Sequence, residues 1–331
     1  MSDSVQVVIV GAGPCGLAAA IAMKEAGLRA RVFDRSCVVS SIVEYPTYMT
    51  FFSTASRLEI GGVPFVVAAE KPTRRDAMAY YRAVVDHFDL KVLQYEEVQA
   101  IEGTEPQFLV RSRALSGSPP VRVSPAEAII IATGYRGNPN RLGVPGEDLP
   151  HVTHSFREGH EAFRRRAVVV GGGNSAVEVA LDLYRSHAHV TLVHFGPRLD
   201  KGVKPWVLPD ITNRIADGSI AARWNARVIA IEPDAVVLQG SEGGELARLG
   251  ADHVYLMTGY TPDPTLLSSL GVSIDSQTGK PTHDVATMET DVPGVFIAGV
   301  LAAGYDANKI FIENGRHHGN LIARTLVSRI N

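Results

Sequence analysis

Cysteine is scarce in this chain, which has only Cys15 and Cys37 among its 331 residues. Two cysteines exclude both a disulfide framework and a cysteine-based metal cluster. Zinc-type spacing is missing too, because His151, His154 and His160 are spread along a polar stretch. A Gly-x-Ser-x-Gly motif is also absent. We therefore expect neither a metal site nor a serine-hydrolase site.

Net charge is small as well, at −3. This balance provides no electrostatic basis for binding nucleic acid or an anionic membrane. No basic leader precedes the first hydrophobic run, and the apolar stretch from Val5 to Met23 is interrupted by Gln6, Pro14 and three glycines. We expect a cytoplasmic protein without a membrane span and without a nucleic-acid partner.

Glycine-rich turns are what the sequence does have. The first, Gly11-Ala12-Gly13-Pro14-Cys15-Gly16, lies between a predicted strand (Val5–Val10) and a predicted helix (Gly16–Ala26). Such glycines allow a tight turn and close approach to a pyrophosphate, which the N-terminus of the helix also attracts. The next predicted strand, Arg29–Phe33, ends at Asp34, where a carboxylate accepts hydrogen bonds from ribose hydroxyls. This order predicts a dinucleotide-binding unit.

A second unit of this kind begins at Ala167. Its turn, Gly171-Gly172-Gly173-Asn174-Ser175-Ala176, lies between a β-branched run (Val168–Val170) and an amphipathic helix (Ser175–Ser186). The strand after the helix is predicted over His189–Val193. A second dinucleotide-binding domain follows from this repetition.

The second unit lacks the acidic residue at the end of that strand. His194 and Phe195 stand there, with Arg198 and Lys201 just beyond. A missing carboxylate with nearby cations favours NADP over NAD. Phe195 weakens this assignment, and the alternative is that the two cations only solvate a loop.

Three further predicted strands each run into a glycine. They lead to Ala132-Thr133-Gly134, to Thr258-Gly259 and to Gly299. The loops at Gly137–Asn140 and Thr261–Pro264 are rich in Pro, Gly and Asn, which suits the two points where the chain crosses from one domain to the other. The sequence thus predicts an α/β fold with two Rossmann-like dinucleotide-binding domains of the three-layer type, the second inserted in the first. The predicted bounds are 1–137 with 261–331 for the first domain and 138–260 for the second.

The order of these motifs resembles that of the low-molecular-weight thioredoxin reductases along essentially the whole chain. The matching stretches are GAGPCG with Asp34, ATGYRGNP, GGGNSA, and the TGY and GVFIAG strands near the end. The resemblance implies that the split first domain binds FAD and that the inserted domain binds the nicotinamide cofactor.

Two departures from that family limit the function. Thioredoxin reductases carry a Cys-x-x-Cys pair before the second glycine turn, but its positions fall near His154 and Arg157 here. Their Gly-Asp dipeptide, which helps to hold FAD, reads Gly299-Val300. Reduction of thioredoxin by the usual dithiol relay is therefore excluded.

A narrower family, the bacillithiol disulfide reductases, lacks the same cysteine pair and is similar over long stretches. These are GPCGL (13–17), FFSTASRLEIGGVPF (51–65), KPTRRDAMAYYR (71–82), VKPWVLPD (203–210) and AGVLAAGYDANKIFIENGRHHG (298–319). The resemblance implies an FAD-containing, NADPH-dependent homodimer that reduces a low-molecular-weight thiol disulfide, with bacillithiol disulfide as the first candidate.

The motifs and the resemblance together assign two sets of cofactor contacts. The FAD contacts are Gly11, Gly13, Pro14, Cys15, Gly16, Asp34, Arg35, Ser41, Ala132, Thr133, Gly134, Gly299, Val300, Lys309 and Ile310. The NADPH contacts are Gly171, Gly172, Gly173, Asn174, Ser175, Ala176, His194, Arg198 and Gly259.

Cys15 is also the candidate catalytic residue, because thiol–disulfide exchange needs a thiolate. The start of a helix lowers a thiol pKa, whereas a neighbouring pyrophosphate raises it. The alternative is that a small apolar side chain is needed beneath the flavin. Cys37 is expected to be structural or incidental.

The last helix is predicted over Ile312–Ser328, after Asn308, Lys309 and Ile310, with its N-terminal N–H groups facing the flavin. Of the adjacent His317 and His318, at most one points inward, because neighbouring residues lie on different helix faces. Glu313 and Arg316 are either part of this site or merely cap the helix and solvate its surface.

Two lysines raise one more possibility. Lys201 and Lys204 are candidates for binding the carboxylates of an acidic substrate, although loop lysines are usually just solvated. Two rival functions stay open: an NADPH-dependent reductase of a ferredoxin- or flavodoxin-like carrier, and a flavin-binding redox sensor without turnover.

Overall fold

The computed structural model describes residues 5–117, 120–240, 243, 246–306 and 309–330. They pack as two compact units, one within 1–43, 49–138 and 261–331 and the other within 44–48 and 139–260. Most of the second unit is thus inserted into the chain of the first. Which cofactor each unit binds stays a prediction.

Short strands and helices alternate along both units. In the described part of the chain the strands are β1 (Val7–Val10), β2 (Ala30–Asp34), β3 (Val92–Gln94), β4 (Glu96–Thr104), β5 (Gln107–Ala114), β6 (Arg122–Ala126), β7 (Ala128–Ile131), β8 (Val152–Thr153), β9 (Arg166–Val170), β10 (His189–Val193), β11 (Ala221–Arg223), β12 (Ala226–Glu232), β13 (Ala235–Gly240), β14 (Ala247–Gly250), β15 (His253–Leu256) and β16 (Val295–Ile297). The α-helices there are α1 (Pro14–Glu25), α2 (Ser40–Val43), α3 (Ala55–Leu58), α4 (Arg74–His87), α5 (Asn174–Arg185), α6 (Leu208–Ala216), α7 (Thr265–Ser269), α8 (Ile312–Gly315) and α9 (His318–Ile330).

Each unit is built on a five-stranded parallel sheet. The order is β16-β7-β1-β2-β3 in the first unit and β11-β10-β9-β15-β8 in the second. In both sheets the strand that precedes the glycine turn is central, so the turn lies at the carboxyl edge of the sheet, where such folds bind their ligands. The predicted Rossmann-like α/β fold is confirmed.

A three-stranded antiparallel sheet accompanies each parallel sheet. It is formed by β4, β5 and β6 in the first unit and by β12, β13 and β14 in the second. Both carry a register shift at the same place in their first hairpin, between Val98 and Ala100 and between Val228 and Ala230. The two units therefore repeat one arrangement.

Strand β9 shows how the layers stack in the second unit. Ala167 and Val169 pack in a core with residues of α5, whereas Val168 and Val170 pack in another core with residues of β12 and β13. Because side chains alternate along a strand, the parallel sheet is covered by α5 on one face and by the antiparallel sheet on the other.

In the first unit α1 is enclosed. Every residue from Gly16 to Met23 is buried, and α9 packs so closely on it that a Cβ on Gly319 would lie 2.5 Å from the Cα of Ala19. The glycine turn in front of α1 is therefore fixed to a rigid support.

The prediction of one continuous helix over Ile312–Ser328 is wrong. Arg316 and His317 form a turn between α8 and α9. Gly315, which weakens a helix, lies at the break, and the His318 ring turns toward the backbone of Gly299. Because α8 has only four residues, it provides no extended helix terminus for a flavin. Asn308 lies outside the described residues.

None of the helices in the described segments combines the length and the apolar character needed to span a membrane.

Candidate functional site

The first glycine turn is held by close contacts of backbone with backbone. Gly11 has φ +110°, and a Cβ there would overlap the carbonyl oxygen of Ala132. A Cβ on Gly16 would overlap the carbonyl oxygen of Gly11. These two glycines therefore allow β1, α1 and the end of β7 to converge, as the sequence pattern requires.

Gly13 has a different role in the same turn. It is the N-cap residue of α1 and has no side chain to hydrogen-bond the first N–H groups of the helix. A Cβ on Gly13 would meet no atom within 4 Å. Protein packing therefore does not explain this glycine. The backbone at Gly13 is open, and the first N–H groups of α1 lack partners within the helix, so both suit the approach of a phosphate group. Pro14 has no N–H, which costs nothing at the first position of a helix.

Asp34 ends β2 beside this turn. Its two carboxylate oxygens accept the N–H groups of Ala12 at 2.7 Å and Ser36 at 2.8 Å. Each oxygen has further lone pairs, so the carboxylate is oriented by the backbone and still able to accept ribose hydroxyls. The geometry fits the adenosine end of a dinucleotide.

The Cys15 thiol lies against two glycines from the C-terminal part of the chain. A Cβ on Gly299 would lie 3.1 Å from its Sγ, and a Cβ on Gly315 would lie 2.8 Å from it. Cys15 as a whole is partly exposed, yet burial of the thiol raises its pKa to about 12. The thiol is therefore protonated at neutral pH.

His318 is the inward-facing member of the histidine pair, as predicted, and His317 is exposed. The Nδ1 atom of His318 accepts the N–H of Gly299 at 3.1 Å. Burial lowers the pKa of His318 to about 4, with smaller contributions from the positive charges of His283 and His317. His318 is therefore neutral at pH 7 and carries its proton on Nε2.

Glu313 and Arg316 connect the C-terminal segment to α3. Glu313 hydrogen-bonds Ser53 and forms an ion pair with Arg57 at 3.0 Å, and these interactions lower its carboxyl pKa. Arg316 donates to the carbonyl oxygen of Ser56 at 3.1 Å. These contacts connect the start of the C-terminal segment to α3, a role that neither of the two expectations named.

The other residues assigned to FAD follow the ends of strands in the same unit. The N–H of Ala132 donates to Val10 at 2.7 Å, which places Thr133 and Gly134 beside the first turn. The Arg35 guanidinium lies over Gly137, where a Cβ would overlap it. Ser41 is partly buried in α2, Val300 is partly buried after Gly299, and Ile310 packs against Gly315. Lys309 is exposed and pairs with Asp306 at 3.2 Å.

The second turn repeats the geometry of the first. Gly171 has φ +142°, and a Cβ there would lie 2.5 Å from the carbonyl oxygen of Met257 and 3.1 Å from the Cβ of Ala176. Gly171 therefore has the role of Gly11, and the position of Gly16 is taken by Ala176. Ser175 lies in the first turn of α5.

His194 covers this second turn. The imidazole is buried, and a Cβ on Gly172 would lie 2.6 Å from both ring nitrogens. Its Nε2 lies 3.4 Å from Asp200, and its Nδ1 is buried without a hydrogen-bond partner in the described residues. An unpaired buried nitrogen against a phosphate-type turn fits a bound nucleotide.

Two charged residues near His194 were not identified from the sequence. Asp200 donates its N–H to Gly172 at 3.0 Å, and the Arg227 guanidinium lies 5.1 Å from the ring centre of Phe195. Arg227 comes from β12, so no sequence spacing could have found it. Arg198 and Lys201 are both exposed.

Asn174 and Lys204 are engaged inside the protein. The Asn174 amide donates to Gly202 and accepts the N–H of Lys204, both at 2.9 Å. The Lys204 ammonium group is largely buried and pairs with Glu178 at 2.8 Å. This ion pair already compensates the Lys204 charge and so does not support a role for it in binding a substrate carboxylate.

The two chain crossings run side by side. Pro139 and Tyr260 form an antiparallel bridge, and Asn140 donates its backbone N–H to Gly259 at 3.0 Å. Gly259 is thus held by the crossing. Among the described residues, no cluster of three or more acidic, histidine or cysteine side chains could hold a metal ion.

Comparison with known proteins identifies relatives of the whole chain. Residues 8–299 match the pyridine nucleotide-disulphide oxidoreductase family. The bacilliredoxin reductase Bdr of Bacillus subtilis is 45% identical over 327 residues, which cover 98% of each chain. The solved structure of bacillithiol disulfide reductase Bdr from Bacillus cereus has a TM-score of 0.95 and 42% identity, covering 99% of this chain and 100% of its own. A ferredoxin–NADP reductase of Ignicoccus hospitalis is 29% identical over 88% of each chain.

Proposed function

Because the chain belongs to the pyridine nucleotide-disulphide oxidoreductase family, we propose that it reduces bacillithiol disulfide at the expense of NADPH. The relatives that are 42 and 45% identical over nearly the full length carry names for disulfide and bacilliredoxin reduction. These names support a thiol disulfide as the class of substrate. Bacillithiol disulfide is the specific substrate that we propose within this class.

The observation that carries the proposal is the pair of glycine turns with matching geometry, one in each unit. Gly11 and Gly171 bring the backbone against the carbonyl oxygens of Ala132 and Met257. A chain with two such turns binds two nucleotides, and the cofactors of this family are FAD and NADPH. Together they supply hydride transfer from the nicotinamide to the flavin.

The side chains provide binding and orientation. In the first unit the N-terminus of α1 would stabilise the pyrophosphate of FAD, and Asp34 would accept hydrogen bonds from its ribose hydroxyls. In the second unit the turn at Gly171–Gly173 accommodates NADPH, with His194 against it and the exposed Arg198 available for the 2′-phosphate.

Cys15 is the candidate for thiol exchange within this proposal. Its Sγ is in the first turn of α1, next to Gly299 and Gly315 of the segment assigned to FAD. Its raised pKa opposes a thiolate role, and supports the alternative that the sulfur fills the turn. The same experiment decides between the two roles.

The test is anaerobic stopped-flow absorbance of the flavin. The holoprotein is reduced with NADPH and then mixed with bacillithiol disulfide, in the wild type, Cys15→Ala and, as the matched control, Cys37→Ala. We expect reoxidation in the wild type and in Cys37→Ala. If only Cys15→Ala stays reduced, Cys15 is the relay. If all three reoxidise alike, Cys15 only fills the turn, and if none does, the small disulfide is not the acceptor.

Electron transfer to a protein is the second candidate function. It is favoured by the 29% identical relative named as a ferredoxin–NADP reductase and by the raised pKa of the Cys15 thiol, which disfavours the thiolate. Reduced holoprotein mixed with ferredoxin, flavodoxin or an oxidised bacilliredoxin measures this directly. A flavin that NADPH does not reduce would favour the sensor instead.

Cytoplasmic location and a homodimer belong to the same proposal. The two described cysteines are unpaired, as in a reducing compartment. Size-exclusion chromatography with light scattering should give about twice the 35.5 kDa chain mass.

A further inference from the structure

The first unit contains a cavity of about 600 Å³ beside the segment assigned to FAD. This volume lies in the range of small-molecule sites. Its lining combines apolar and polar side chains, namely Asp275, Thr278, Lys280, Pro281, Thr282, His283, Val285, Met288, Ala302, Ile310, His318 and Leu321.

The two histidines of the lining leave their Nε2 atoms for a ligand. His318 has its Nδ1 occupied by the N–H of Gly299 at 3.1 Å, so Nε2 carries the proton. His283 has its Nδ1 2.7 Å from the carbonyl oxygen of Pro281, so Nδ1 donates to the backbone and Nε2 is left for a ligand. The backbone thus occupies Nδ1 of both rings, and both Nε2 atoms are left for polar groups of a ligand.

Lys280 supplies the positive charge. It is the one lysine among the described lining residues, and its charge contributes to lowering the carboxyl pKa of Asp275 on the same wall. Asp275, the acidic residue of the lining, has one oxygen occupied by the N–H groups of Gln277 and Thr278 and by the Thr278 hydroxyl. An anionic group in the cavity would therefore meet the Lys280 ammonium group beside a carboxylate whose Oδ1 is already occupied by the 277–278 turn.

Close backbone packing forms the wall of the cavity that carries Lys280. A Cβ on Gly304 would overlap the carbonyl oxygen of Thr278, and a Cβ on Gly279 would lie 2.5 Å from the ring of Tyr305. The N–H of Tyr305 also donates to Thr278 at 2.8 Å. The strap 299–305 is thereby fixed to the 275–280 segment that carries Lys280.

The cavity shares a wall with the candidate redox site. Ile310 lines it and also packs against Gly315, the residue that contacts the Cys15 sulfur. His318 lines it and binds the backbone of Gly299. A ligand in the cavity would thus contact Ile310, a residue assigned to FAD, and lie next to others.

We propose that this cavity is the subsite for the carboxylate-bearing part of an acidic low-molecular-weight disulfide, with Lys280 binding the carboxylate and His283 and His318 hydrogen-bonding its polar groups. This inference rests on the proposed function and names the residues that select the substrate. It assigns to Lys280 the part that the sequence suggested for Lys204.

The test compares disulfides that differ in charge. Turnover of the holoprotein with NADPH is measured with bacillithiol disulfide, with 3,3′-dithiodipropionate, which has two carboxylates, and with the neutral bis(2-hydroxyethyl) disulfide. The variants are Lys280→Gln and Lys280→Glu. Lys91→Gln, an exposed lysine paired with Asp89, is the matched control.

For the acidic disulfides we expect KM to rise about tenfold in Lys280→Gln and further in Lys280→Glu, the loss typical of a charge-assisted hydrogen bond. KM for the neutral disulfide and the values of Lys91→Gln should stay as in the wild type. Equal effects on all three disulfides, or no effect on any, would overturn the inference.

Calorimetric binding to the oxidised holoprotein separates this inference from the proposed function. If 3,3′-dithiodipropionate binds the wild type and binds Lys280→Gln about tenfold more weakly, the cavity is an anion subsite even if no disulfide is reduced. If the disulfides are reduced but Lys280→Gln binds and turns over normally, the proposed function stands and the subsite is wrong.

Discussion

The sulfur of Cys15 fills the space that a side chain on Gly315 would need. A Cβ on residue 315 would lie 2.8 Å from Sγ, closer than a real Cβ atom approaches another side chain. The two residues lie at opposite ends of the chain, in the glycine turn and in the last residue of α8. Cys15 is therefore a packing contact between the two parts of the split unit, whatever its redox role.

Gly315→Ala should destabilise the protein through this contact. Overpacking of a tight site costs about 1–3 kcal/mol, and the new methyl group would also approach the Cα of Gly299 at 3.1 Å. Adding Cys15→Ala should recover part of the lost free energy of unfolding, because it removes the nearer obstacle. Urea unfolding of both single variants and the double variant measures this. Strictly additive effects would mean that the sulfur is not the limiting contact.

Cys15 should react slowly with alkylating agents at neutral pH. Its pKa of about 12 leaves almost no thiolate at pH 7, and the thiolate is the nucleophile. In a Cys37→Ser background, the rate of iodoacetamide labelling should still be rising at pH 10. Mass spectrometry of the modified peptide follows this rate, and Cys15→Ser in the wild-type background controls for Cys37. A rate that levels off below pH 9 would contradict the buried thiol.

Much of the fold was predictable from the sequence because its signals are local. Strand β10 has the predicted bounds of His189–Val193, and both glycine turns occur between a strand and a helix as predicted. Asp34 also lies where its spacing places it, beside the first turn. These features depend on backbone conformation and hydrophobic periodicity, which neighbouring residues determine.

Contacts between residues distant in the sequence could not be predicted in this way. The ion pair of Lys204 with Glu178 and the burial of Cys15 against Gly315 leave no periodic signal. The break between α8 and α9 is similar, because His318 turns to Gly299 through tertiary packing. Propensity alone therefore favoured one helix where the fold needs two.

His318 should make the stability of the protein depend on pH. Burial lowers its pKa from 6.5 to about 4, so between these values the unfolded chain binds a proton that the native state does not. Stability is thus lost as the pH falls through this window, and the loss is complete near pH 4. His318→Asn keeps an acceptor for the N–H of Gly299 but does not titrate.

The measurement is the free energy of unfolding at pH 7 and pH 5. The decrease between the two should be smaller in His318→Asn than in the wild type, by up to about 2 kcal/mol. The exposed His317→Asn is the control and should keep most of the wild-type decrease, because His317 contributes less than burial to the pKa shift of His318. An equal loss of unfolding free energy in all three proteins would show that the pKa of His318 is not lowered in the native state.

Gly11→Ala and Gly171→Ala form a matched pair that tests which unit binds which cofactor. Both glycines have positive φ, and in both a Cβ would press on a carbonyl oxygen of the neighbouring strand end, at Ala132 and Met257. The strain is therefore alike and only the unit differs. Gly11→Ala should bind FAD at least about tenfold more weakly, a difference of about 1.4 kcal/mol.

In contrast, Gly171→Ala should be purified with a full complement of FAD, because its turn lies in the other unit. Its flavin should need at least about tenfold more NADPH for the same rate of reduction in anaerobic stopped-flow. Absorbance of released flavin and the NADPH dependence of the rate give the two readings for each variant. If Gly171→Ala loses FAD while Gly11→Ala keeps it, the cofactor assignment of the two units must be exchanged. Since the two substitutions impose the same local strain, a loss of both cofactors in both variants would point to unfolding, which circular dichroism distinguishes.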